Sequence, residues 1–315
     1  MYKYYKLALS TMESFIYYSK KIGKDFLLCQ GPGGNTSIKK GKDIYIKKSG
    51  ELLNKTNKET FKKVDFKKIS NFYLDAKDDQ KFEKSLSIET PFHVLLNKKY
   101  VFHYHSLASI IISAIYSKSE MKDIFVKNDI LSIPYLRPGY ELAKRMVELN
   151  NVKNSNIFFL YNHGVVIKGN NISQIYSEIR KTENLFANHI DYKKLKAITN
   201  KILKLKIHNN KIKNPNSNLD YTVFNQKYLF PDHSVFFPNK FEERNKENNK
   251  DAILFDPNYL YLNKKLNLTE ETYFKALLIL FNVIGNNKIK NYIKEEYGEQ
   301  LRNSEDEQLR IRLNK

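Results

Sequence analysis

The sequence predicts an α/β fold, because segments with helical apolar spacing alternate with short apolar or alternating runs of strand length. Glycine, proline and asparagine punctuate the joins between them. Size is the third observation. The chain has 315 residues, 41% hydrophobic and 13% aromatic, which exceeds an ordinary single domain and supplies a sizeable core. The expected division is a domain over residues 1–205 and a C-terminal α+β extension over 206–315, because residues 205–220 turn polar around Pro215.

Each element follows from local pattern. Tyr4, Leu7, Ala8, Met12, Phe15 and Ile16 form a helical stripe that Ile22 extends and Gly23 stops. Residues 26–29 read as a short buried strand leading into Gly31-Pro32-Gly33-Gly34-Asn35-Thr36-Ser37. Residues 43–47 alternate as a strand that ends at Ser49-Gly50. Residues 55–85 are charged and irregular, a loop with short elements. A helix over 88–97 precedes a strand over 100–105 and a helix from Leu107 to Ile115. Residues 157–161 and 165–167 are strand segments split by Asn162-His163-Gly164. Gly169-Asn170 then turns the chain into a helix with Ile172, Ile175, Tyr176, Ile179 and Phe186 on one face. Beyond the boundary lie apolar segments 228–237 and 252–262, a helix after Thr269 that Gly285 stops, and a charged helical tail.

Composition narrows the function. No apolar run approaches the roughly 20 residues that span a bilayer, so no membrane partner is expected. The N-terminus lacks a continuous apolar signal core, and a single cysteine, Cys29, excludes an intrachain disulfide. Both features fit a cytoplasmic location. A net charge of +20 attracts polyanions without any specific site. The excess is lysine spread along the whole chain instead of a basic block, so it reads as solvated faces and nucleic acid is not the expected partner. The same field favours anionic substrates.

The chemistry-bearing residues cluster in the first part of the chain. His103 and His105 flank Tyr104 on a strand, so both imidazoles point to one face, roughly 7 Å apart at the backbone. Two such side chains can converge on one metal ion, and a catalytic zinc site takes three protein ligands with an open position. His163 is a natural third ligand, because it interrupts an apolar strand beside a glycine that permits close approach. The alternative is that each histidine is simply hydrogen-bonded and half-buried. Glu89, at the start of the preceding helix, is the carboxylate candidate for proton transfer or ligation, although a first-turn acid also serves the helix dipole. His93 shares its face at i, i+4, where a supporting hydrogen bond or packing is expected. The glycine-rich segment fits neither nucleotide-binding motif but can expose backbone N–H groups to an anion; tight-turn duty explains it equally well.

Taken in order, these segments resemble the class II aldolase/adducin family over about residues 1–195. Gly33-Gly34-Asn35-Thr36-Ser37 resembles its Gly-Asn-x-Ser phosphate loop, and Lys47-Lys48-Ser49-Gly50 its second phosphate turn. Ser87-Ile88-Glu89-Thr90-Pro91-Phe92-His93 is similar to the stretch holding the catalytic glutamate. His103-Tyr104-His105 resembles the two-histidine metal motif, Asn162-His163-Gly164 the third-histidine segment, and residues 137–143 a turn and helix between them. The likeness is to the rhamnulose-phosphate aldolase-like branch, without the dehydrogenase fused to it in longer proteins; residues 228–233 resemble a segment following the core in that branch.

The resemblance implies an α/β/α sandwich around a mixed, largely antiparallel sheet, usually in a homotetramer with sites near subunit interfaces. It implies a divalent metal, zinc first, on His103, His105 and His163, with Glu89 moving the proton in reversible aldol cleavage. Gly34, Asn35, Ser49, Gly50 and Ser87 are the implied phosphate contacts of a small sugar phosphate or related hydroxycarbonyl substrate. Epimerisation, dehydration and decarboxylation use the same scaffold, and a non-catalytic adducin-like assembly role is a further alternative that the retained histidines and Glu89 oppose. Two departures stand out. Leu86 and Ile88 occupy positions where many relatives carry proline and a second serine, and no counterpart of the catalytic tyrosines of some relatives is identified.

Overall fold

A computed structural model describes residues 10–238, 240–245, 249–285, 287 and 289–313. Seven strands form the main sheet: β1 (Asn35–Lys40), β2 (Asp43–Lys47), β3 (Phe61–Asp65), β4 (Tyr100–Tyr104), β5 (Ile130–Ile133), β6 (Ile157–Leu160) and β7 (Gly164–Gly169). Their order is β3-β2-β1-β4-β7-β6-β5. Only β5 and β6 pair in parallel, so the sheet is mixed and largely antiparallel, as expected.

Helices cover both faces. On one side α1 (Thr11–Gly23), α4 (Leu107–Ile115), α5 (Lys118–Lys127) and α7 (Ile172–Ala187) pack Phe15, Ile110, Phe125 and Ile179 with Phe102, Tyr104, Phe159 and Ile167. On the other, α2 (Phe66–Asp75), α3 (Thr90–Leu95) and α6 (Tyr140–Val152) bury Tyr73, Phe92, Val94 and Met146 with Ile44, Val101, Phe158 and Val166. The alternation along β4 creates this division: Val101 and His103 face the second side, Phe102 and Tyr104 the first. An α/β/α sandwich results.

After α8 (Tyr192–Leu203), strands β8 (Lys211–Lys213), β9 (Phe241–Glu243), β10 (Ile253–Phe255) and β11 (Tyr259–Tyr261) form a second sheet in the order β8-β11-β10-β9. Helices α9 (Pro231–Phe236), α10 (Leu268–Ile284), α11 (Glu295–Arg302) and α12 (Glu305–Leu313) complete the described residues. Residues 206–315 therefore contribute both strands and helices, and their apolar side chains join the first face's core through Phe224, Phe281 and Leu260. Among the described residues, no helix is long and apolar enough to cross a membrane.

Several local expectations change. Residues 26–29 are a turn, because the Asp25 carboxylate accepts from Leu27 N at 3.0 Å and the Asp25 carbonyl accepts from Leu28 and Cys29. Asn35, Thr36 and Ser37 leave the expected glycine-rich loop and open the central strand β1, whose polar side chains are buried but partnered. Residues 55–85 hold more regular structure than expected, β3 and the ten-residue α2, which Asp65 caps through Lys68 N at 2.9 Å. The first helix begins at Thr11 behind a Ser10–Glu13 capping box. Tyr4, Leu7 and Ala8 lie outside the described residues. Gly285 terminates α10, and the charged tail is helical.

Candidate functional site

The candidate site lies where β1 and β7 begin and β4 ends. Register fixes this, since Asn35 stands opposite His103, and His103 opposite Val166. His105 follows β4 directly, while the 161–163 turn between β6 and β7 carries His163 beside Asn162, whose φ of 53° closes the hairpin. Glu89 precedes the first turn of α3.

Glu89, His103, His105 and His163 thereby meet in one buried cluster, with a ligand-type atom from each within 4.8 Å of the others. Glu89 Oε1 lies 3.0 Å from His163 Nε2 and 3.3 Å from His103 Nε2. His105 Nε2 is 3.0 Å from His103 Nε2. The tautomer of His103 follows from its other nitrogen, whose N–H donates to the Val165 carbonyl at 3.0 Å. Its Nε2 faces a second imidazole nitrogen and a carboxylate. Glu89 Oε1 makes no well-aligned hydrogen bond, although it is buried. Three imidazoles and a carboxylate converging in a buried cluster fit a divalent cation, because that donor set suits one.

The electrostatics agree. Burial pushes His163 down to about 4, with Glu89 opposing, so its imidazole is neutral near pH 7. Burial would raise Glu89, but the adjacent His103 and His163 hold its carboxyl well below the usual range. The Glu89 carboxylate is also held by Asn35 Nδ2, which donates to Oε2 at 2.5 Å. Asn35 Oδ1 in turn accepts from His93 Nε2, and His93 Nδ1 accepts from Ser37 Oγ at 2.8 Å. His93 thus plays the supporting part expected of it.

The cleft beside the cluster is lined by Gly34, Asn35, Ser49, Gly50 and Ser87 together with Glu89, His105 and His163. Close packing gives the glycines a second reason to be there. A Cβ on Gly33 would lie 2.8 Å from His105 Nδ1, so only bare backbone lets the loop approach that ring. Ile88 lines the cleft beside Ser87.

Several lining residues escaped the sequence reading. Lys47 is buried at the end of β2, donates to the carbonyls of Glu51 at 2.6 Å and Pro32 at 3.2 Å, and is lowered to about 8 by burial. Pro231, Asp232, Glu307 and Arg310 reach the cleft from the C-terminal extension. Asp232 Oδ2 lies 3.2 Å from His105 Nδ1, and its Oδ1 2.8 Å from an Arg310 nitrogen. Burial would raise the Asp232 pKa, but the Arg310 charge and His105 hold it far below the usual carboxylate range. The same burial raises Glu307 to about 7 against the pull of Arg310. A wider opening of about 680 Å³, lined by Lys81, Lys84, Arg137 and Arg312 with Asp79 and Asp306, adjoins the cleft at Ile88.

Residues 13–190 match the Class II Aldolase and Adducin N-terminal domain. The chain is 27% identical over 193 residues to the uncharacterized oxidoreductase YuxG of Bacillus subtilis, a match covering 53% of this chain and 28% of YuxG. It is 25% identical over 162 residues to the L-fuculose phosphate aldolase of Methanocaldococcus jannaschii, covering 49% of this chain and 81% of that enzyme. A solved N-terminal class II aldolase domain from Thermoplasma acidophilum aligns with a TM-score of 0.49 at 24% identity, covering 57% of this chain and 93% of the domain. Because the family pattern spans more than half of the sequence, the chain belongs to the class II aldolase and adducin family.

Proposed function

We propose that this protein is a divalent-metal lyase, most simply a zinc enzyme, that reversibly cleaves a small sugar phosphate or related hydroxycarbonyl compound in an aldol reaction. The observation carrying the proposal is the buried Glu89, His103, His105 and His163 cluster, whose ligand-type atoms converge while Glu89 Oε1 makes no well-aligned hydrogen bond. His103, His105 and His163 would hold the metal. When bound, the cation supplies Lewis-acid polarisation of a substrate oxygen.

Glu89 takes the proton-transfer role because its carboxylate is anchored on one oxygen by Asn35 and directed into the cleft's metal cluster with the other. Its depressed pKa keeps it ionised. Ser49, Gly50, Ser87 and Gly34 take the substrate's anionic group, with buried Lys47 adding positive charge and Asn35 acting through Glu89. The basic side chains around the adjoining opening favour approach of an anion. Residues 1–205 form the catalytic unit in this reading and 206–315 an extension. The working protein is a homotetramer of the cytoplasm, a location consistent with its single, buried cysteine.

Elemental analysis of protein purified without chelator tests the metal, with one ion per chain expected. A screen of ketose phosphates beginning with L-fuculose 1-phosphate, read by aldehyde release, tests the chemistry. Trace metal only, with no rebinding of zinc, manganese or cobalt, sinks the proposal. Turnover without aldehyde release would instead assign an epimerase, dehydratase or decarboxylase. Light scattering after gel filtration checks the tetramer.

A further inference from the structure

We propose that Asp232, seated by Arg310, is a positioning residue for His105, so that the segment beyond the family-matched region completes the metal centre. The inference rests on the metal reading above and concerns residues outside 13–190, to which the family pattern assigns nothing.

The two outer nitrogens of the paired histidines are served from different places. His103 Nδ1 donates to the Val165 carbonyl, a partner supplied by the neighbouring strand of its own sheet. His105 stands past the end of β4, and among the described residues no carbonyl bonds its Nδ1. Its Nδ1 instead lies 3.2 Å from Asp232 Oδ2, while its Nε2 faces His103. A carboxylate this close to Nδ1 favours the proton on that nitrogen, which would leave the Nε2 lone pair toward the cluster and restrain the ring's rotation.

Asp232 cannot perform this alone. It is fully buried, and a buried carboxylate needs a compensating charge. Arg310 provides it at 2.8 Å and is itself braced by Glu307 at 2.5 Å, one turn earlier on α12. The order Glu307, Arg310, Asp232, His105 runs from the last described helix to the metal cluster. The extension is tied to the same hairpin elsewhere, since Asn162 Nδ2 donates to the carbonyls of Leu229 and Asn291 at 3.2 Å each. These contacts make the extension part of the ligand framework instead of an independent appendage.

The test measures Zn²⁺ affinity of the full chain by competition with a chromophoric chelator, and the visible spectrum of the Co²⁺-loaded protein. Asp232→Asn should weaken Zn²⁺ binding about 10- to 100-fold and shift the Co²⁺ bands, with the fold retained by circular dichroism. Arg310→Lys, which keeps the charge, should bind within a few-fold of the parent. If Asp232→Asn fails to fold, the Asp232→Ala/Arg310→Leu pair removes both charges together and should show the same loss. Parent-like affinity and Co²⁺ spectrum in either folded variant overturn the inference, since a merely structural carboxylate would lower the melting temperature without touching the metal. Failure of the parent protein to bind Zn²⁺ would overturn the metal reading itself and is recognised before any variant is made.

Discussion

Replacing Glu89 by glutamine separates proton transfer from metal binding. The carboxylate is buried, with Oε2 accepting from Asn35 at 2.5 Å and Oε1 near His163 and His103. Asn35 Nδ2 is a donor, so the new amide must keep its oxygen toward Asn35 and turn its NH2 toward the imidazoles. The fit is retained, but the Asn35 bond falls from charge-assisted to neutral, which costs about 1 kcal/mol of stability. Three imidazoles remain for the metal, so elemental analysis should still find one ion per chain. The basic oxygen is gone, and turnover should fall by about 100-fold, equivalent to about 2.7 kcal/mol of barrier. The assay is aldehyde release from whichever ketose phosphate the parent protein cleaves, beside metal content of the same preparations. Near-normal turnover in Glu89→Gln refutes the proton-transfer role. Loss of the metal would mark Glu89 as a ligand first and move the search for the base elsewhere.

Gly164→Ala should destabilise the protein by about 3 kcal/mol in urea denaturation, because φ is +159° and the new Cβ would sit 2.4 Å from the Tyr104 carbonyl oxygen. Ser49→Ala and Ser87→Ala should raise KM for a phosphorylated substrate with less effect on an unphosphorylated analogue; equal effects on both would remove these hydroxyls from anion binding. Chelator treatment should lower the melting temperature reversibly, with Zn²⁺ restoring it. In metal-free protein, burial holds His93 and His233 near 3 and His163 near 4 against an ordinary 6.5. The unfolded chain therefore takes up protons from pH 6.5 downward while the folded chain does not, so stability falls with falling pH across the window from about 6.5 to 4. The slope should be about 1.4 kcal/mol per pH unit for each histidine, and His233→Gln should remove one histidine's share.

What the sequence revealed and what it hid divide along one physical line. The paired histidines were legible because a period of two places residues 103 and 105 on one face, and because β4 is apolar at its other positions. His163 was legible from Asn-His-Gly inside an apolar run, the signature of a turn between strands. In both cases local spacing carries the information. The β1 strand was hidden by its polar residues Asn35, Thr36 and Ser37, which are buried only because Glu89, Ser19 and His93 lie opposite them in space. Arg310 and Asp232 were hidden more deeply. With 54 lysines and arginines in the chain, no periodicity marks which one turns inward, and the carboxylate that holds Arg310 is 78 positions away (310 − 232). Sequence patterning reports which face of an element is apolar; it does not report which distant charge will be neutralised against that face. Residues that bear on a metal ligand through a second side chain therefore emerge only when the fold has brought their segments together. In this chain they come from the region outside the family pattern, where local motifs offered least help.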